Sequence, residues 1–180
     1  MSRITAIDPA TATGEAKALL DAVQASLGVT PNFIRVLANA PAALEGFLGL
    51  FTIANKGVLE HKTRERIALA VAEQNSCQYC ASAHTAIGRK AGLDNAEILA
   101  ARNGTSAEPK AAAVVAFAKA LATSSGDITN AEFAAAKLAL TEAEIVETIA
   151  HVALNIFTNI VGKASKVAID FPEVKLLKAA

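Results

Sequence analysis

Cys77 and Cys80 are the two cysteines of this 180-residue chain, and His84 follows them in the run Cys77-Gln78-Tyr79-Cys80-Ala81-Ser82-Ala83-His84. Two thiols this close cannot form a disulfide scaffold, so the chemistry open to them is thiol redox or metal ligation. An i, i+3, i+7 spacing puts all three side chains within about 60° of one helical face. With Asn75 or Ser76 as N-cap, both cysteines fall in the first turn, where unpaired N–H groups and the helix dipole stabilise a thiolate. His84 can then take up or return the thiol proton, because imidazole titrates near neutral pH. As a zinc site, Cys77, Cys80 and His84 supply three ligands and His61 or His151 the fourth, although structural sites more often draw two ligand pairs from separate segments.

Other candidate groups read more plainly. Glu65, taken alone, belongs to a charged run from Lys62 to Arg66 that looks like a solvated helix face. Glu73, one turn before Cys77, reads as a helix-end surface charge, and His61 as a surface residue opening a helix. His151 sits in an apolar stretch, where a histidine is most often a satisfied core residue. Tyr79, the one tyrosine of the chain, lines a pocket beside the cysteines or packs against it, while Phe47 and Phe51 read as core.

The elements that must carry these residues are helices. Ala, Leu, Val and Ile dominate a composition that is 53% hydrophobic and 4% aromatic, and Gly and Pro fall between the apolar runs rather than within them. The periodicity predicts helices over 14–27, 41–55, 61–74, 77–91, 94–101, 110–123, 129–138 and 141–166, with a short one ending at Asn39-Ala40. Glu144 stands at the capping-box position after Thr141. With no strand pattern, an all-α fold in a single domain, 1–180, is expected. Glu65-Arg66-Ile67-Ala68 recurs 82 residues later as Glu147-Thr148-Ile149-Ala150, which suggests a duplicated helical hairpin whose second copy has lost the cysteines.

The formal net charge is +0 and the basic residues do not cluster, which argues against nucleic acid as a partner. The apolar fraction exceeds the roughly 45–50% usual for soluble domains, so the surplus is expected at an interface between subunits. A membrane span is not expected, because the uncharged stretch from Thr148 to Gly162 carries His151, Asn155 and Asn159 and is shorter than the roughly 20 residues a bilayer needs. The N-terminal segment has no apolar core that could act as a secretory signal, so a cytoplasmic location is expected.

The sequence around the cysteines resembles the AhpD-like alkylhydroperoxidases of the carboxymuconolactone decarboxylase superfamily. The family motif is a Glu, eleven intervening residues, Cys-x-x-Cys, three residues and a His, here Glu65, Cys77, Cys80 and His84. Thr30-Pro31-Asn32-Phe33, the apolar helix after Pro41 and a C-terminal helical pair extend the likeness over most of the chain. The resemblance implies that Cys80 attacks a hydroperoxide and becomes a sulfenic acid, that Cys77 resolves it to a disulfide, and that Glu65 and His84 relay protons. It further implies no cofactor beyond the cysteine pair, a thiol reductant of lipoyl or thioredoxin-like type, and a homo-oligomer, a trimer or hexamer. Many peroxidase members carry a second His between the cysteines, where this chain has Tyr79. Disulfide reduction with a protein partner and a zinc-binding helical interaction module are the alternatives.

Overall fold

The computed structural model describes residues 2–177, the side chain of Ile53 apart, and among these residues it is all-helical. In order, the helices are α1 (Gly14–Leu27), α2 (Asn32–Leu37), α3 (Pro41–Ala54), α4 (His61–Gln74), α5 (Gln78–Lys90), α6 (Asn95–Asn103), α7 (Pro109–Ser124), α8 (Asn130–Ala139) and α9 (Glu142–Ala164). Local sequence marks most of their ends. Thr129 with Glu132, and Thr141 with Glu144, form capping boxes at α8 and α9, each satisfying two otherwise unpaired donors. Gly28 ends α1 in the left-handed conformation at φ 72°, which a residue without Cβ adopts at no steric cost.

α4 is the central helix. It packs against α5, α6, α7 and α9, and Glu65 to Ala72 are buried without interruption. The expected solvated face from Lys62 to Arg66 is therefore corrected at its inner end. Arg66 is 1% exposed and donates to Glu97 at the start of α6 and to Glu108 before α7. A buried guanidinium persists because these carboxylates replace its water.

Ile67 and Val71 of α4 meet Val114, Phe117 and Ala118 of α7 and Ile145 and Val152 of α9 in one apolar cluster. A second cluster joins Leu20, Phe33, Ile34 and Leu44 to Cys77, Tyr79, Cys80 and Val167. The cysteines thus stand in packed core. The Thr30-Pro31-Asn32-Phe33 segment closes this cluster: the Asn32 amide nitrogen donates to Asp170, and the Phe33 N–H donates to the Tyr79 hydroxyl at 3.2 Å.

α9 lies close to the 141–166 bounds expected of it. At 23 residues it is long and apolar enough to cross a bilayer by length and composition alone. It is a core helix of this fold all the same, with Thr148, His151, Val152, Asn155 and Asn159 buried along its inner face. The suggested repeat extends no further than this helix, because α9 runs straight through the position at which the α4–α5 hairpin turns.

Candidate active site

α4 ends at Gln74, Asn75 caps it, and Ser76 takes a left-handed turn at φ 52°. Neither Asn75 nor Ser76 therefore caps α5. Cys77 does so itself, its Sγ accepting from the Cys80 N–H at 3.3 Å, while the Asn75 side chain is engaged with Asn159 at 2.9 Å. Cys80 is the third helical residue, so its sulfur lies over the N-terminal turn, where the helix field favours a thiolate.

Cys77 and Cys80 are joined as a disulfide and are 1% and 3% exposed. Gly162 of α9 faces them. A Cβ there would stand 3.2 Å from the Cys77 sulfur and 3.7 Å from that of Cys80, so only glycine lets the α9 backbone seat against the pair without a shift.

Glu65 and His84 form the second pair. The His84 Nδ1 lies 2.9 Å from Glu65 Oε2, and the carboxylate is buried while the imidazole is about one-fifth exposed. The other oxygen, Oε1, lies 3.6 Å from the His61 Nε2, whose side chain is half exposed. Glu65 is therefore a buried acceptor between an inner and an outer imidazole, an arrangement able to hold or pass a proton. His84 follows Cys80 by one helical turn.

Cys77 and the Glu65–His84 pair face different openings. Glu65 and His84 line a cleft of about 80 Å³ together with Phe47, Phe51, Arg64 and His151. Cys77 and Tyr79 line a separate groove with Gly162, Lys163 and Lys166. Phe47 and Phe51 are stacked at 5.8 Å and contribute to the cleft as well as to packing.

Tyr79 both lines the groove and packs. It is 7% exposed, with its ring against Phe33 and Phe171. Burial pushes its phenol well above the ordinary value of 10.0, and Asp170 adds to the effect against the Phe33 N–H. It is a neutral hydroxyl throughout the physiological range.

His151 and Arg64 are cleft residues that the sequence pattern kept out of the catalytic set. His151 is buried, but it is not a satisfied core histidine: its Nε2 and the Arg64 Nε have no hydrogen-bond partner. Burial lowers the His151 pKa, and Arg64 lowers it too, against the pull of Glu147 and the Ala54 carbonyl. The one signal available was the Glu147-x-x-x-His151 spacing, which mirrors His61-x-x-x-Glu65. Glu73 is no surface charge either; it pairs with Arg102 at 2.8 Å, both nearly buried.

The two sulfurs are bonded to each other, His84 turns to Glu65, and no group of three or more His, Cys, Asp or Glu among the described residues is arranged to hold a metal ion.

Residues 41–123 match the family model described as the carboxymuconolactone decarboxylase family. No curated protein matches the chain. Solved structures do. The alkylhydroperoxidase AhpD core of an uncharacterized peroxidase-related protein from Ralstonia eutropha JMP134 superposes with a TM-score of 0.81 at 22% identity, covering 94% of this chain and 92% of that one. A peroxidase-related protein from Silicibacter sp. TM1040 gives 0.78 at 22% identity, with 91% of each chain covered. The debrominase Bmp8 in complex with 2,3,4-tribromopyrrole gives 0.80 at 22% identity, covering 94% and 92%. At this identity these likenesses establish the shared fold. Residues 41–123 are thus similar to the carboxymuconolactone decarboxylase family, and the chain as a whole has the AhpD-like fold.

Proposed function

We propose that the protein is a thiol peroxidase that reduces organic hydroperoxides through a Cys77/Cys80 dithiol–disulfide cycle. The observation that carries this reading is the placement of a bonded cysteine pair at the start of α5, one turn before a histidine that is hydrogen-bonded to a buried carboxylate.

In the reduced protein the Cys80 thiolate attacks the terminal peroxide oxygen. The O–O bond breaks, Cys80 becomes a sulfenic acid, and His84, backed by Glu65, returns a proton to the departing alkoxide, giving an alcohol. Cys77 then attacks the Cys80 sulfur, forming the disulfide and releasing water. Two electrons leave the dithiol for each peroxide. An external thiol, of lipoyl or thioredoxin-like type, restores it.

The test is turnover of cumene hydroperoxide with dithiothreitol as reductant. Cys80→Ser should abolish it, and Cys77→Ser should stall at a sulfenic acid or mixed disulfide, seen as an added mass on the intact protein. An active Cys80→Ser protein would overturn the assignment. Because a debrominase shares the fold, a brominated pyrrole is the comparison substrate. Its consumption in place of the peroxide would keep the dithiol chemistry and change the acceptor.

A further inference from the structure

Cys77 and the proton relay border different openings, and the mechanism above uses the relay side. The groove that Cys77 lines has a volume of about 330 Å³. Among the residues lining it, the charged ones are Lys163 and Lys166, both exposed. Lys163, at the edge of the groove, donates to the Asn75 carbonyl at 2.6 Å. Lys166 sits in the left-handed turn that ends α9, at φ 48°. Gly162, which lies against Cys77, also lines the groove, so no side chain of that residue stands between α9 and the sulfur. Neither Glu65 nor His84 reaches this space; both face the relay cleft, which neither sulfur lines.

We propose that this groove is the entry for the reductant, an anionic thiol, and that it directs attack onto Cys77 rather than Cys80. The inference rests on the thiol-redox reading above. Thiol–disulfide exchange proceeds through the thiolate, so two lysines beside Cys77 concentrate the reactive form, and more so for a thiol that carries a further negative charge. The incoming thiolate bonds to the Cys77 sulfur, the Cys77–Cys80 bond breaks, and Cys80 departs as a thiolate at the α5 N-terminus, ready for the next peroxide. A second reductant thiolate attacks the reductant sulfur of the mixed disulfide. Cys77 is freed, the reductant leaves as its own disulfide, and the two protons given up by the reductant thiols complete the dithiol.

The experiment needs no hydroperoxide. Oxidised protein is reduced by 2-mercaptoethanesulfonate, 2-mercaptoethanol and cysteamine, and rates are compared between the wild type and Lys166→Glu, so that each thiol's intrinsic reactivity cancels. The doubly charged thiolate of 2-mercaptoethanesulfonate should slow by about fivefold on charge reversal at low salt, the singly charged thiolate of 2-mercaptoethanol should slow less, and the zwitterionic cysteamine thiolate, of net charge zero, should change least. In parallel, the single-thiol variants Cys80→Ser and Cys77→Ser are treated with 5,5′-dithiobis(2-nitrobenzoate), a dianion; Cys77 should react faster, and Lys166→Glu should slow it. Equal rate ratios for all three thiols, or a faster Cys80, would overturn the proposal. If the charge dependence holds while hydroperoxides oxidise nothing, the groove stands and the peroxidase reading falls.

Discussion

Glu65 shows how burial turns an ordinary side chain into a relay candidate. Its two oxygens face two imidazoles, at 2.9 Å and 3.6 Å, so a Glu65→Gln protein keeps the shape and loses the carboxylate that orients His84. Peroxide turnover should fall by about 10²-fold, while the count of thiols lost at the end of the reaction stays the same. His151 yields a prediction about stability. Its folded pKa lies below the ordinary 6.5, so the unfolded chain binds the proton more readily. The stability it contributes is complete above pH 6.5 and is lost as pH falls from there through the folded value. Urea unfolding at about pH 7.5 and about pH 5.5 should show a steeper acid loss in the wild type than in His151→Gln. The sequence made the cysteines and His84 legible through their spacing, and the family motif singled out Glu65. It could not show that the buried His151 Nε2 lacks a hydrogen bond, because that depends on what α3, α4 and α9 leave around it in space.

At the scale of elements, most helices were readable from caps and periodicity, and the errors share one cause. The α4–α5 turn was expected to be capped by Asn75 or Ser76, but Asn75 is drawn to Asn159, 84 positions away, and the cap passes to Cys77. Arg66 was read as exposed because its partners Glu97 and Glu108 lie 31 and 42 positions on. Long-range pairing of this kind leaves no local pattern. Arg66 ties α4 to the starts of α6 and α7. Burial alone would raise the Glu97 pKa, but the Ala107 N–H, Ser106 and Arg66 outweigh it and hold it below its usual range. Removing the guanidinium strips Glu97 of one of these partners. Arg66→Ala should cost about 3 kcal/mol, read as a lower urea midpoint at unchanged slope.

For the whole molecule, the surplus of apolar residues has a location. Val146, Ile149, Phe157 and Ile160 are exposed along α9, opposite the face it buries. We propose that this stripe, with neighbouring exposed side chains such as Phe133 and Leu138, joins copies of the chain into a trimer or hexamer. Light scattering on the eluting protein should give a multiple of 18.5 kDa, and Phe157→Glu with Ile160→Glu should reduce it; a monomeric wild type would refute the surface. The composition announced a buried apolar face, but only the packing of α9 says which residues are left to form it.

The central claim is that the two cysteines act as one two-electron reductant of hydroperoxides. The most direct measurement is the number of free thiols remaining after reduced protein meets a slight excess of cumene hydroperoxide, for the wild type and Cys80→Ser side by side. The account predicts that two thiols per chain disappear in the wild type for each peroxide consumed, and that Cys77 persists in Cys80→Ser. Intact thiols in the wild type, or their equal loss in both proteins, would contradict it.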